Sequence, residues 1–304
     1  MERAIIVIAG PTASGKTSVG IRLAQRLGGE IISADSRQIY RYMDVGTAKP
    51  TPAERAATPH HLIDIVDPDT PYNASDFAQA AGVLIEEILG RGCQPIIVGG
   101  AGFYLEALFD GLSPIPSSSD ELKSAVYERV RSDAGSAYKE LQSVDPETAA
   151  NLIVSDRQRI ARALEVYEST GKPISHFQTR PRVPATTRKA IQFGLSWNRT
   201  RLYDRINRRV ETMIEEGLVD ELRKLFKRGY HRNTYALKTF GYREIGAYLD
   251  GEISLEEAVA TIQTGSRHYA KRQLTWFRNR SSLRWLDAEA SDPVVAILEA
   301  IEKS

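Results

Sequence analysis

The sequence predicts an α/β fold: a phosphate-loop (P-loop) parallel sheet with helices on both faces, carrying a small helical insertion domain. Three observations predict it. The apolar run Ala4-Ile-Ile-Val-Ile-Ala9 reads as a buried parallel strand and leads straight into Gly10-Pro-Thr-Ala-Ser-Gly-Lys-Thr17, which fits the pattern GxxxxGK[ST]. A helical pattern through Val19, Ile21, Leu23, Ala24 and Leu27 follows, so strand, glycine loop and helix occur in the order such a loop requires. Strand and helix patterns then alternate, which is the signature of a parallel sheet covered on both faces.

Taken in order, the second strand is expected at Glu30-Ile-Ile-Ser-Ala34, ending at Asp35-Ser-Arg-Gln38. A helix through Phe77, Ala81, Leu84, Ile85 and Ile88 leads to a third strand, Gln94-Pro-Ile-Ile-Val98, which ends at Gly99-Gly-Ala-Gly102. Ligands of open parallel sheets lie beyond the carboxyl ends of the strands, so these three segments are expected around one crevice. A Pro/Ser stretch at Gly111–Ser119 breaks the pattern, and from Asp120 to about Thr170 the periodicity is helical, with Asp145-Pro146 as a cap and first-turn proline. Breakers between Thr179 and Thr187 precede Ala190–Trp197, which reads as a strand returning to the sheet. Amphipathic helices, a strand at Leu283–Asp287 and a final helix complete the chain. Residues 1–112 and 190–304 are therefore expected to form the core, and residues 113–189 the insertion.

At 304 residues and 42% hydrophobic composition, the chain can bury one large core plus a smaller one. No apolar run is long enough to span a membrane and no leader pattern precedes the first strand, so a cytoplasmic protein is expected. The one cysteine, Cys93, provides no disulfide framework and reads as a small core residue beside a strand. His60, His61, His176, His231 and His268 show no metal-binding spacing. The net charge of +1 conceals a segregation: between Arg157 and Arg209, thirteen Lys/Arg stand against three Asp/Glu. Such an excess suggests a localised polyanion site, the alternative being a solvated helix surface.

In Gly10, Pro11, Thr12, Ala13, Ser14, Gly15, Lys16 and Thr17, the loop amides and helix N-terminus would bind phosphate oxygens. Lys16 would neutralise them, and the Thr17 hydroxyl is placed to hold Mg²⁺. The loop reads a diphosphate with a metal and does not specify ATP.

Several segments together resemble one family: Gly10–Thr17 in the form GPTASGKT, Ser33–Tyr40, Val45–Pro50, Pro59–Asp64, Gly99–Tyr104, Asp156–Glu165 and Lys271–Arg278. In order and over nearly the whole chain they resemble the tRNA dimethylallyltransferases, in the bacterial form without a C-terminal zinc finger. The resemblance implies transfer of a dimethylallyl group from dimethylallyl diphosphate to N6 of the adenosine 3′ of the anticodon, with Mg²⁺. It places the general base at Asp35, for which a helix cap or an outer partner of the metal is the other reading. Ser36, Arg37 and Gln38 match the segment that contacts the target base, and a Gln side chain suits adenine. Gln158, Arg159, Ile160, Ala161 and Arg162 match the tRNA-contacting stretch, with Lys123 in another tRNA-contact position. The insertion would then clamp the anticodon stem-loop while the base is splayed out. Arg201, Arg205, Arg208 and Arg209 share a helical face, with Arg205 and Arg209 expected on the diphosphate. The sequence departs from the family at Ala101, where a threonine hydroxyl is usual near the reacting groups, so catalysis is expected to be affected there. A monomer binding no membrane is expected. A P-loop nucleotide or small-molecule kinase and a catalytically impaired RNA-binding homologue are the alternatives.

Overall fold

The computed structural model describes residues 3–280 and 282–303. Contacts divide the chain into two units, one running to Phe109 and resuming at Ala185, the other spanning Asp110–Pro184.

The first unit is built on a sheet. Strand β1 (Ile5–Ala9) is buried at every position, as expected of a central parallel strand with both faces covered. It feeds the glycine loop and helix α1 (Lys16–Leu27), which ends at Gly28 in the left-handed region with φ 60. Strand β2 (Gly29–Ala34), helix α2 (Pro52–Ala57), the two-residue strand β3 (His60–His61) and helix α3 (Ala74–Gly90) follow. Strand β4 (Gln94–Gly99) then leads into α4 (Gly102–Phe109).

Helices α5 (Asp120–Ser132), α6 (Ala134–Val144), α7 (Pro146–Ala149), α8 (Arg157–Thr170) and α9 (Ile174–Gln178) make up the second unit. Its core gathers Val126, Leu141, Ile160, Leu164 and Phe177. Buried Asp145 ties it together by accepting from the Thr148 amide at 3.0 Å and the Ser175 amide at 3.1 Å.

The chain re-enters the first unit at β5 (Ala190–Ser196) and continues through α10 (Arg199–Glu215), α11 (Leu218–Lys227), α12 (Tyr242–Leu249) and α13 (Leu255–Arg278). Strand β6 (Leu283–Asp287) and α14 (Pro293–Glu302) complete it. All strands are parallel, in the order β3-β2-β4-β1-β5-β6. Because β2, β4 and β1 are neighbours, the segments following them emerge side by side. The α1 and α14 side chains close one face of the sheet through Leu23, Ala24, Val294 and Ile297. A second core joins α10 to α13 with Ile39, Tyr40 and Met43, which fixes the segment after β2.

The edge strand β3 has no apolar run; it is held by backbone pairing of Ile31 with His60 and by side chains at its edge. Glu30 accepts from Arg91 Nε at 3.0 Å and Nη2 at 2.8 Å and bonds His61 at 2.7 Å. The Arg91 hydrogen bonds, helped by His61 and opposed by burial, hold the Glu30 carboxyl at about 2 against an ordinary 4.5. A depressed carboxyl stabilises the fold fully above its unfolded value and loses that contribution as pH falls through the folded one. Acid titration from pH 4.5 to 2 should therefore remove about 1–2 kcal/mol through Glu30, allowing for half-exposed Arg91. Glu30→Gln should flatten the melting-temperature curve in that window, and an unchanged curve would refute the assignment. Cys93, expected in the core, is only partly buried, because it lies in the α3–β4 connection before the strand enters the sheet.

Candidate active site

The loop after β1 is strained into shape at Gly10 and Gly15, with φ of 148 and 88, and at Ala13, a non-glycine residue with φ 61. Two helices grip it. Arg205 of α10 donates from Nε to the Ala13 carbonyl at 2.9 Å while its guanidinium stacks 4.2 Å from the Trp197 ring centre. Gln273 of α13 accepts from the Thr12 amide at 2.8 Å. Ser14 Oγ is buried with no hydrogen-bond partner among the described residues.

Lys16 folds back to donate to the Pro11 carbonyl at 2.6 Å. Burial, reinforced by repulsion from Arg209 and eased by Asp35, pulls its ammonium down to about 7. Arg209, also lowered by burial, makes no ion pair or hydrogen bond among the described residues. Two desolvated cations side by side, offset by the single carboxylate of Asp35, form a site that an incoming diphosphate would neutralise.

Asp35, immediately beyond β2, accepts from the Arg37 amide at 2.8 Å and the Gln38 amide at 3.4 Å, both through Oδ1. One oxygen holds the turn, and the hydrogen bonds leave Oδ2 for the crevice. Two cavities meet at this residue. The first, open to solvent, is lined by Lys16, Thr17, Ser33, Gln38, His60 and Gly100 among others. The second, larger and also open to solvent, is flanked by Ser36, Arg37, Met213, Phe240, Ile262 and Arg272. Thr12, Asp35, Arg209 and Tyr269 belong to both walls.

Gln38 lines the first cavity but its amide is engaged within the protein. It accepts from Ser33 Oγ at 3.0 Å and donates to the Ala48 carbonyl at 3.1 Å, so it pins the Val45–Pro50 segment rather than presenting a free donor and acceptor. Among the described residues, no group of three His, Cys, Asp or Glu side chains could cage a metal. A divalent ion suits the Thr17 hydroxyl only if ligand phosphate oxygens and water complete its shell, the usual arrangement for Mg²⁺ at phosphate loops.

Ala101 has a local structural role of its own. Its amide donates to Ala34 at 3.1 Å and its carbonyl accepts from Tyr104 and Leu105, so it is the N-cap residue of α4. Its methyl caps nothing, and among the described residues it lines neither cavity. Ala101→Thr is expected to stabilise the fold by about 1 kcal/mol through a restored cap, read as a higher urea midpoint. A gain in transfer rate of about tenfold or more without stabilisation would put the hydroxyl at the reacting groups instead.

Within the insertion, Lys123, Gln158 and Arg159 are exposed. Ile160 and Ala161 correct the expectation of direct RNA contact: they are 0% and 1% exposed in the insertion core, so they hold α8 in place while its exposed face is free to act. Arg162 is ion-paired with buried Glu165. In the first unit, Arg201 is paired with Glu289 at 3.0 Å, whereas Arg205 and Arg208 border a third opening beside the phosphate loop. The basic segment of the sequence is thus divided between the two units.

Three residues with no expected role support the crevice. Lys49 buries its ammonium against the Tyr40 carbonyl, Asp44 and Asp64 at 2.5–2.7 Å. Glu221 accepts from the amides of Asp44, Val45 and Gly46 and from the Tyr242 hydroxyl at 2.6 Å. Gln273 also donates to the Gly100 carbonyl at 2.9 Å, and a Cβ on Gly100 would lie 2.3 Å from its Nε2, so any side chain at position 100 has to displace this amide. The motifs around Lys49 and Gln273 were visible as segments, but their partners are backbone atoms and acids remote in sequence.

The sequence matches the family described as IPP transferase over residues 38–280, and that described as isopentenyl transferase over residues 3–66. The chain belongs to the IPP transferase family. Among IPP transferase relatives, the tRNA dimethylallyltransferase of Geobacter sulfurreducens is 46% identical over 94% of this chain and 93% of its own. A crystal structure of the full-length tRNA isopentenylpyrophosphate transferase from Bacillus halodurans superposes with a TM-score of 0.72 at 40% identity, covering 100% of this chain and 95% of that one. A eukaryotic dimethylallyltransferase acting on tRNA superposes with a TM-score of 0.79 at 29% identity, covering 98% and 78%. The fold is the α/β fold of these IPP transferases, and the protein is a transferase of the tRNA-prenylating kind. Among the described residues, no helix is long and apolar enough to cross a membrane.

Proposed function

We propose that the protein transfers the dimethylallyl group of dimethylallyl diphosphate to N6 of the adenosine immediately 3′ of the anticodon in tRNA. The observation that carries this reading is the meeting of the two cavities at Asp35, with unpaired Arg209 and desolvated Lys16 on the side of the phosphate loop. The donor's diphosphate is held by the loop amides, Lys16 and Arg209, with Arg205 fixing the loop. Thr17 would hold Mg²⁺ together with phosphate oxygens, and the ion when bound would add to the neutralisation of the leaving group. The adenosine enters from the larger, half-apolar cavity beside Ser36, Arg37 and Phe240. As N6 bonds to the allylic carbon, the carbon–oxygen bond to diphosphate breaks, and Asp35 Oδ2 takes the proton from nitrogen. The exposed Gln158, Arg159 and Lys123 of the insertion serve RNA backbone contact.

The test incubates the pure protein with dimethylallyl diphosphate, Mg²⁺ and an anticodon stem-loop carrying adenosine 3′ of the anticodon. The RNA is expected to gain one C5H8 unit and inorganic pyrophosphate to appear, without ATP. An unmodified RNA, or a requirement for ATP, would overturn the reading in favour of a kinase or a non-catalytic RNA binder.

A further inference from the structure

We propose that Tyr269 is a further catalytic residue: its phenol donates a hydrogen bond to the diphosphate oxygen that leaves the allylic carbon. The proposal rests on the reading above. Tyr269 projects from α13 into the wall common to both cavities, in the company of Thr12, Asp35 and Arg209. That wall is where a group held by the loop must meet a nucleophile entering beside Asp35. Four residues later, Gln273 is fixed by the Thr12 amide and the Gly100 carbonyl, which places the polar end of this stretch of α13 against the phosphate loop.

The remaining polar chemistry of the wall points the same way. Lys16 and Arg209 are charges, the Thr12 amide is already donated to Gln273, and Asp35 is acceptor-only when ionised. Tyr269 and the Thr12 hydroxyl are therefore the neutral hydroxyl donors on the shared wall, and Tyr269 is the one that α13 brings from outside the phosphate loop. Tyr269 is 37% exposed, but desolvation of the hydroxyl first, and then the charge of Asp35, push the phenol up to about 12, while Arg37, Arg272 and a hydrogen bond with Gln273 oppose the shift. The other groups facing it, Arg209 and Lys16, are cations. It keeps its proton at working pH and can donate but not remove a proton. Ala101 brings no hydroxyl to either cavity, so the phenol is not duplicating a threonine at that position.

In the step itself the nitrogen–carbon bond forms as the carbon–oxygen bond breaks. The electron pair goes to the diphosphate oxygen, the nitrogen proton goes to Asp35, and the Tyr269 proton stays on the phenol while its hydrogen bond shortens. Because that oxygen becomes fully charged only on departure, the contact is stronger to product than to intact donor.

Tyr269→Phe removes one oxygen and leaves the ring. Single-turnover transfer is expected to fall about 10- to 100-fold, with donor and tRNA dissociation constants within about twofold. Binding of inorganic pyrophosphate, followed by calorimetry without RNA, is expected to weaken about tenfold. The melting temperature should match the parent protein. A single-turnover rate within about threefold of the parent together with unchanged pyrophosphate affinity would overturn the proposal, as would a loss confined to tRNA binding. If the parent protein does not alkylate RNA yet Tyr269→Phe weakens pyrophosphate, the tRNA reading fails and the placement of the phenol at the leaving group stands.

Discussion

Asp35→Asn is expected to leave both substrates bound and to slow the chemical step by about two to four orders of magnitude, the usual size of a general-base contribution. The structure makes this substitution unusually informative. Oδ1 alone accepts from the Arg37 and Gln38 amides, and an asparagine oxygen can keep both bonds. The turn, the packing of Ile39 and Tyr40 beneath it and both cavity walls should therefore survive. What disappears is the anionic oxygen facing the crevice and its capacity to take a proton. Asp35→Ala would remove the turn's acceptor as well, so it should lose stability in addition to rate. Single-turnover rates for Asp35→Asn within a few-fold of the parent, with a loss seen only in Asp35→Ala, would make the residue a turn cap and nothing more.

The parts of the site legible in the sequence were those whose chemistry is local. An apolar run followed by glycines at fixed spacing and a lysine at a helix start can be read without knowing anything distant, and parallel-sheet topology then brings Asp35 and Gly99–Gly102 to the same end. What stayed hidden depends on partners far along the chain. Gln273 matters because of Thr12 and Gly100, Lys49 because of Asp64, and Glu221 because it fills the amides of Asp44 to Gly46. None of these pairs leaves a periodic trace. Strand β3 is hidden for another reason: two histidines joined by backbone pairing carry no hydrophobic pattern.

A segment that reads as one unit in sequence divides once its residues are placed. Family resemblance marks Gln158 to Arg162 as one stretch, but helical periodicity divides it, sending Ile160 and Ala161 inward and Arg159 outward. Likewise Arg201 and Arg205 share a helix face, yet Glu289, supplied from beyond β6, captures the first and leaves the second to the loop. At Ala101 the chain breaks a local rule, since alanine is a poor N-cap, and tertiary support of α4 by the amide contact to Ala34 sustains the turn regardless.

Lys16→Met is expected to make the ligand-free protein more stable and to abolish transfer. In the folded chain the ammonium is desolvated beside Arg209 and has only the Pro11 carbonyl to satisfy it, which is why its pKa falls from 10.5 to about 7. Between those values the folded chain holds fewer protons than the unfolded one, so this group makes stability rise with pH through that window, and below about 7 its penalty is fully present. Replacing it with an apolar side chain of similar length removes the penalty and the pH slope together. The same substitution removes the charge that meets the diphosphate. Charge-assisted hydrogen bonds of this kind contribute about 1.5–3 kcal/mol, so donor affinity should fall about 10- to 100-fold, with a further loss in the step where charge builds on the leaving oxygen. RNA affinity should be unchanged, because the exposed cations of the insertion are untouched. Melting curves with and without dimethylallyl diphosphate decide it: the variant should start higher and gain almost nothing from the donor, whereas the parent should start lower and gain substantially. A variant that melts lower than the parent without ligand would mean that the lysine anchors the loop through Pro11, and that its desolvated charge carries no net penalty.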